Sequence, residues 1–231
     1  MLRVESLNVS QGDFALSADF AVQSGRHVAV IGPSGAGKST LLGAISGYVP
    51  IKSGRIFVDE HAVTREPPHE RGVAMLFQDG NLFPHLSLAQ NVGLALRPSL
   101  RPTAPERARI HAALDRVGLA GFEDRMPGDV SGGQQSRAAL ARVLAQAKPL
   151  VLLDEPFAAL GPALRAEMLA LTSALVQENG ATVITITHDP KDAEAAADEV
   201  IFVDAGMAHA PRSVSDIMTD PPMALRAYLG T

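Results

Sequence analysis

The sequence predicts an α/β fold built on a mostly parallel sheet, and three observations carry that prediction. Short, nearly unbroken apolar runs recur at residues 27–31, 73–77, 150–153 and 183–187, as expected for strands covered on both faces. Helical segments with identifiable boundaries are interleaved with them. Ahead of both, residues 2–9 and 14–22 alternate apolar and polar, the pattern of two half-buried strands that pair antiparallel.

In the second of those strands the alternation puts Phe14, Leu16, Ala18, Phe20 and Val22 on one face. A helix over 41–46 follows the run 27–31. Thr103 with Glu106 three residues later forms a capping box ahead of a helix over 107–117, and Pro162 opens a helix that Asn179 and Gly180 close. Asp189 and Pro190 start another, and Ser131 starts one that runs through 138–147. Pro98, Pro102 and Pro105 make 97–105 a surface connection, because proline cannot donate to a helix or a central strand. Residues 80–146 read as mainly helical, so a helical subdomain is expected between two strands of the sheet. No internal repeat or low-complexity tract interrupts the pattern.

Composition narrows the class. The chain has 231 residues and 24.2 kDa, enough to bury a large core. Hydrophobic residues make up 46% and charged residues 19%, which excludes a disordered chain. The net charge of −5 offers no basic field for a nucleic-acid backbone, so no nucleic-acid partner is expected. With no cysteine there is no thiolate chemistry, disulfide or Cys-based metal site. No apolar run reaches membrane-spanning length, and the first 22 residues alternate with charges where a signal peptide would be solidly apolar, so a soluble, cytoplasmic chain is expected.

The chemistry concentrates in a few places. Gly32, Pro33, Ser34, Gly35, Ala36, Gly37, Lys38, Ser39 and Thr40 fit a phosphate-binding loop, directly after one apolar strand and directly before a helix. The glycines allow backbone N–H groups to turn towards phosphate oxygens, and the helix N-terminus adds a favourable dipole. Lys38 can reach the terminal phosphates and Ser39 can ligate Mg²⁺. Only four lysines occur in the chain, so an incidental lysine in a glycine turn is the weaker explanation. The architecture is accordingly of the P-loop NTPase type, and ATP with Mg²⁺ is the expected ligand pair.

Asp154 and Glu155 follow the apolar run 150–153 and so stand at the carboxyl end of a buried strand, where ligands of open α/β sheets gather. Asp154 suits a direct Mg²⁺ ligand or a group one hydrogen bond behind it, and Glu155 is placed to polarise an attacking water. Without a phosphate loop the pair would read as solvated acids. Ser131, Gly132, Gly133 and Gln134 make a second glycine-rich helix start, which alone is only a common loop-to-helix junction.

Taken in order, the phosphate loop, Gln78, the signature from Ser131 to Gln135, Asp154 with Glu155, and His188 resemble the ATP-binding subunits of ABC transporters over almost the whole chain. The resemblance implies that Gln78 senses Mg²⁺ and the attacking water, that Glu155 is the general base and that His188 contacts the γ-phosphate. It also implies one unit over 1–231, in which 1–79 and 147–231 form the nucleotide-binding core with its antiparallel β subdomain and 80–146 the helical subdomain. One full cradle and one incomplete helix-terminus site per chain suit a two-fold homodimer, with Ser131, Gly132, Gly133 and Gln134 completing the ATP site of the opposite copy.

The chain departs from the family pattern at several positions. Gly161 follows Phe157, Ala158, Ala159 and Leu160 where the family usually has an aspartate that relays information across the dimer. Val130 replaces a leucine, Ser136 a longer polar residue, and Gln11 stands where an adenine-stacking tyrosine is usual, with Phe14 as the candidate substitute.

The family reading requires integral membrane permease subunits, an indirect solute-binding partner outside the membrane, and a peripheral position on the cytoplasmic face of the inner membrane. In relatives the stretch 80–100 receives a short helix of the membrane subunit, although Leu82 and Leu86 suit the core of the helical segment equally well. The wording of residues 75–93 resembles the ATPase subunits of thiamine importers, and residues 189–231 leave little room for a regulatory domain. Sulfate, polyamine or iron importers share much of that wording and remain alternatives. So does a weakly hydrolysing regulatory module, which Gly161 alone favours. Chromosome-maintenance ATPases are disfavoured, because no heptads lie between Lys38 and Ser131.

Overall fold

The computed structural model describes residues 1–229 apart from Asp79 and Ala159. β1 (Leu2–Gln11) and β2 (Phe14–Val22) pair antiparallel, with Leu2 opposite Val22 and Gln11 opposite Phe14. In β2 the expected face is turned inward: Leu16, Ala18, Phe20 and Val22 are buried and Phe14 partly so. β3 (His27–Ile31) is buried throughout and leads into α1 (Lys38–Ser46). β4 (Ser53–Val58) pairs antiparallel with the other side of β1, and β5 (His61–Ala62) with β4.

After β6 (Val73–Leu76) come three helices, α2 (Leu88–Gly93), α3 (Ala104–Arg116) and α4 (Gly132–Ala145), before the chain returns as β7 (Leu150–Asp154). α5 (Pro162–Asn179), β8 (Thr182–Ile186), α6 (Pro190–Ala196) and β9 (Glu199–Asp204) follow. The chain continues through β10 (Met207–Ala208), β11 (Arg212–Ser213), α7 (Val214–Thr219) and α8 (Met223–Leu229). No helix among the described residues is long and apolar enough to cross a membrane.

The strands form a sheet of order β5-β4-β1-β2-β10-β9-β3-β8-β7-β6, with β11 on β9. β9, β3, β8, β7 and β6 are mutually parallel. Short β10 runs parallel to β2 and antiparallel to β9, which makes the antiparallel part continuous with the parallel part. Beyond the four central strands expected, β9 contributes a fifth on the same kind of apolar run, Val200, Ile201, Phe202 and Val203, all buried.

Several boundaries differ from the sequence expectation, and α1 already starts at Lys38 instead of residue 41. α3 starts at Ala104, so Pro105 is not in the connection but in the first helical turn, where a missing N–H leaves no hydrogen bond unmade. α4 ends at Ala145, and Ala147 has left the helix with φ +49°. The Thr103–Glu106 capping box is formed as expected, worth about 1 kcal/mol to its helix.

Register decides what gathers at the sheet's carboxyl edge. Leu76 lies beside Leu153 and Leu153 beside Thr185, while Val30 lies beside Ile186. The residues just beyond, Gly32, Gln78, Glu155 and His188, therefore all emerge at one edge. A core of aliphatic residues from β1, β2, β3 and α1 underlies that edge. The three inserted helices share their own core with Phe157, Met168 and Leu169, so they are anchored to the turn after β7 and to α5.

A buried guanidinium locks α1 in place. Arg71 donates to the carbonyls of Ala44 and Ile45 at 2.9 and 3.2 Å, near the helix C-terminus, and to those of Thr64 and Glu66 at 3.1 and 2.8 Å. A cation among orphan carbonyls at the negative end of the helix is well matched, and the loop 64–71 is thereby tied to the phosphate-loop helix.

His27, at the start of β3, is buried with Nδ1 3.3 Å from Ser173 Oγ and Nε2 3.0 Å from Thr185 Oγ1. Burial holds its imidazole down at about 4, against the opposing pull of Asp198. A folded-state value below the unfolded one means that this histidine stabilises the fold fully above about pH 6.5 and progressively less as the pH falls towards 4. Between pH 8 and pH 5 the contribution should fall by about 2 kcal/mol. Urea unfolding of the wild type should show that loss and His27→Gln should flatten it; an equal pH dependence in both proteins would remove His27 as its source.

Candidate functional site

The loop after β3 is shaped by backbone constraints. Gly32 has φ +152°, and a Cβ there would lie 2.0 Å from the Val203 carbonyl oxygen of the neighbouring strand, so only glycine fits. At the other end of the loop Gly37 takes φ +109° as the N-cap of α1 and supplies no side-chain cap. The first N–H groups of this helix are thus left for an incoming ligand, and the positive end of the helix dipole favours an anion. An open cavity of about 400 Å³ lies over them, lined by Gln11, Phe14, Ser34, Gly35, Lys38, Ser39 and Glu155 among others.

Lys38 is buried at the base of this cavity. Its ammonium donates to the carbonyls of Gly32 and Pro33, each at 2.9 Å, which folds the side chain back over its own loop. Burial pulls its pKa below the usual lysine value, while Glu155 and Asp154 pull it back up. Ser39 Oγ donates to Asp154 Oδ1 at 3.1 Å. Burial raises the Asp154 pKa above the ordinary carboxylate value, with Glu155 adding to the rise and the Ser39 bond and Lys38 opposing it. A hydroxyl and a buried carboxylate meeting beside a phosphate cradle form the all-oxygen donor set that Mg²⁺ takes when substrate phosphates and water complete its shell. Among the described residues no cluster of three or more His, Asp or Glu competes as a metal site.

Glu155 leaves β7 with φ +45°, an uncommon conformation for a residue with a side chain, and one kept where surrounding structure enforces it. Its carboxylate oxygen Oε2 lies 3.5 Å from Nδ1 of His188, which follows β8. The strand register thus brings together Lys38, Ser39, Asp154, Glu155 and His188, which are as many as 150 positions apart in the chain.

Other expected residues stand elsewhere. Gln78 is exposed and lines a separate cleft of about 590 Å³ together with Gly132, Gln135, Pro156 and Phe157. Ser131 is exposed at the N-terminus of α4. Its hydroxyl accepts from the Gln134 N–H at 3.3 Å, and the Gln134 side chain accepts from the Ser131 N–H at 2.9 Å. This capping box leaves the Ser131 hydroxyl proton able to point outward. Next to it, a Cβ on Gly132 would meet open space, whereas one on Gly133 would lie 2.5 Å from Leu164 Cδ2.

The departures from the expected pattern also have structural settings. Phe14 is partly buried, and its ring would be 2.7 Å from a Cβ on Gly37, so it packs on the loop itself as well as lining the cavity. Gly161 is exposed with nothing near its Cβ position; Ala159, two residues before it, lies outside the described residues. Leu82 packs into two core clusters, while Phe83 and His85 are exposed and meet edge to face.

Sequence reasoning missed Arg165, Thr187 and Asp192. Arg165 pairs with Asp192, with Nε at 2.9 Å from Oδ2, and Thr187 Oγ1 donates to the same oxygen at 2.7 Å. No local motif signals them, since the partners come from two helices and a strand.

A family model described as ABC transporter matches residues 16–158. The thiamine import ATP-binding protein ThiQ of Cereibacter sphaeroides is 56% identical over 230 residues, with all of both chains covered, and that of a Ruegeria species is 51% identical over the same length, with all of both chains covered. Among solved structures, the dimeric ATP-binding cassette MJ0796 bound to ADP and Pi is similar with a TM-score of 0.80 at 28% identity, covering 93% of this chain and 99% of that one. A site that gathers a phosphate loop and two strand-end carboxylates on this sheet, matched over the full length by such relatives, places the chain in the ABC transporter family as one of its ATPases.

Proposed function

We propose that this chain is the ATP-hydrolysing subunit of a thiamine importer, acting as a pair of copies that hold two ATP molecules between them. The observation that carries the reading is the division of one chain into two unlike half-sites. Lys38, Ser39, Asp154 and Glu155 meet at the open N-terminus of α1, whereas Ser131 and Gly132 lie exposed at the N-terminus of α4 and do not line that cavity.

On this reading the triphosphate of ATP enters the cavity over the loop 32–40. Backbone N–H groups of the loop and of α1 surround the β- and γ-phosphates, and Lys38 exchanges the Gly32 and Pro33 carbonyls for phosphate oxygens. Ser39 and Asp154 would hold Mg²⁺, with Gln78 as a further contact brought in when the helical part closes on the core. Bound there, Mg²⁺ supplies charge neutralisation at the β- and γ-phosphate oxygens. Glu155 accepts a proton from the water that attacks the γ-phosphorus; the bond from phosphorus to the bridging oxygen breaks, and ADP and phosphate are released. His188, beside Glu155, donates to the γ-phosphate and keeps the carboxylate turned towards the water.

The opposite copy would complete the site with the Ser131 hydroxyl and the N–H groups of Gly132, Gly133 and Gln134, an anion-binding helix start like that of α1. ATP then binds the two copies to each other, and loss of the γ-phosphate weakens that contact. In this scheme residues 80–146 are the moving helical unit. Permease subunits carry the solute, the ATPase sits peripherally at their cytoplasmic side, and a solute-binding protein feeds the far side. The assignment of thiamine is supported by the full-length relatives, since no residue of an ATPase of this kind touches the cargo.

Glu155→Gln should bind ATP with near wild-type affinity and associate more tightly with its second copy, while turnover falls by about a hundredfold or more. Lys38→Ala should weaken nucleotide binding itself. Equilibrium binding, sedimentation and phosphate release check these outcomes, and wild-type turnover in Glu155→Gln would overturn the assignment of the base.

The cargo is tested with vesicles holding this chain and a permease that co-purifies with it. They should accumulate labelled thiamine when ATP is supplied; accumulation of sulfate, a polyamine or iron in its place would change the solute and keep the ATPase.

A further inference from the structure

His188 sits between two residues that adjoin a largely buried ion pair, Arg165 with Asp192. Thr187 is buried, and its hydroxyl donates to Asp192 Oδ2 at 2.7 Å while accepting from the Asp189 N–H at 3.1 Å. The hydroxyl thereby spans His188, fixing the backbone on both sides of it. Arg165 clamps the same Asp192 oxygen through Nε and Nη2, reaches Thr187 Oγ1 at 3.5 Å, and lies 3.9 Å from Asp189. The Arg165 and Asp192 side chains are only 17% and 14% exposed, so this is a charge-assisted bond in a poorly hydrated place, where loss of one partner is felt strongly by the others.

Two further features link the network to the reacting end of the site. The Arg165 N–H donates to the Gly161 carbonyl at 3.0 Å, so the guanidinium is carried by the first turn of the helix that follows the 156–161 turn. A small cleft lined by Glu155, Phe157, Arg165, Thr187 and His188 joins the network to the carboxylate end of the site.

We infer that Thr187, Arg165 and Asp192 are positioning residues for His188: they fix its backbone so that the imidazole stays beside Glu155, and they tie that orientation to the turn at Gly161. The inference rests on the role given to His188 above.

The test is a double-mutant cycle read by steady-state phosphate release. Thr187→Val keeps the shape of the side chain and removes the hydroxyl; it should lower kcat about tenfold with the KM for MgATP within about twofold, and Thr187→Ser should restore turnover. In a His188→Ala background, Thr187→Val should change kcat by less than about twofold, because its effect passes through the missing imidazole. Arg165→Lys repeats the cycle from the other side of the network, and thermal unfolding of each variant keeps a general loss of fold separate. An equal fall in both backgrounds, or no fall in either, would overturn the inference. Wild-type turnover in His188→Ala alone would overturn the role of His188 and this network with it, a different signature from additive losses.

Discussion

The site depends on holding a buried ammonium group on two loop carbonyls, within electrostatic reach of two carboxylates at the carboxyl edge of the sheet. Burial works against the charge of Lys38 and against that of Asp154, while the opposite charges nearby work the other way on each. Lys38 donates to Gly32 and Pro33, carbonyls of the loop it serves. A cation parked on weak neutral acceptors, beside an uncapped helix start, is poised to exchange them for a polyanion. The exchange releases stabilisation because charged acceptors make stronger bonds than carbonyls.

Much of the remaining fold is devoted to holding those few atoms still. The loop lies so close to β9 that only glycine fits at position 32, and Arg71 pins the far end of α1 through four backbone carbonyls. The parallel register sets Glu155 and His188 on adjacent strand ends. The strain of a left-handed Glu155 is retained where the packed Phe157 follows it. Rigidity here has a chemical reason: catalysis of phosphoryl transfer is largely positioning and electrostatics, so misplacement by an ångström is costly.

How far this was legible in the sequence follows from the range of each interaction. Strands whose apolar runs are local, such as residues 27–31 and 150–153, and helices whose caps lie within four residues, such as that opened by Thr103, are readable because the physics is local. The phosphate loop is readable for the same reason. Short β10, which joins the two halves of the sheet, has no periodicity of its own and forms because β2 and β9 present free edges to it. The Arg165 network is invisible in sequence, since its members come from α5, the end of β8 and α6, and their pairing exists only after the sheet has brought them together. Pro105 was misplaced because proline forbids a helix interior yet suits a first turn.

The signature serine illustrates why half a site can be stable alone and still serve another molecule. A helix start needs its orphan N–H groups satisfied, and Ser131 with Gln134 satisfies two of them reciprocally. That arrangement consumes one lone pair of the serine oxygen and none of its proton. The neighbouring Gly132 leaves open space where a side chain would stand, so an approaching phosphate would meet a donor and an unobstructed backbone at once. Folding of the single chain and completion of a second chain's site therefore draw on different parts of the same group. A cap built from a carboxylate could satisfy the helix equally well and would repel the phosphate, which is a physical reason for a hydroxyl at this position.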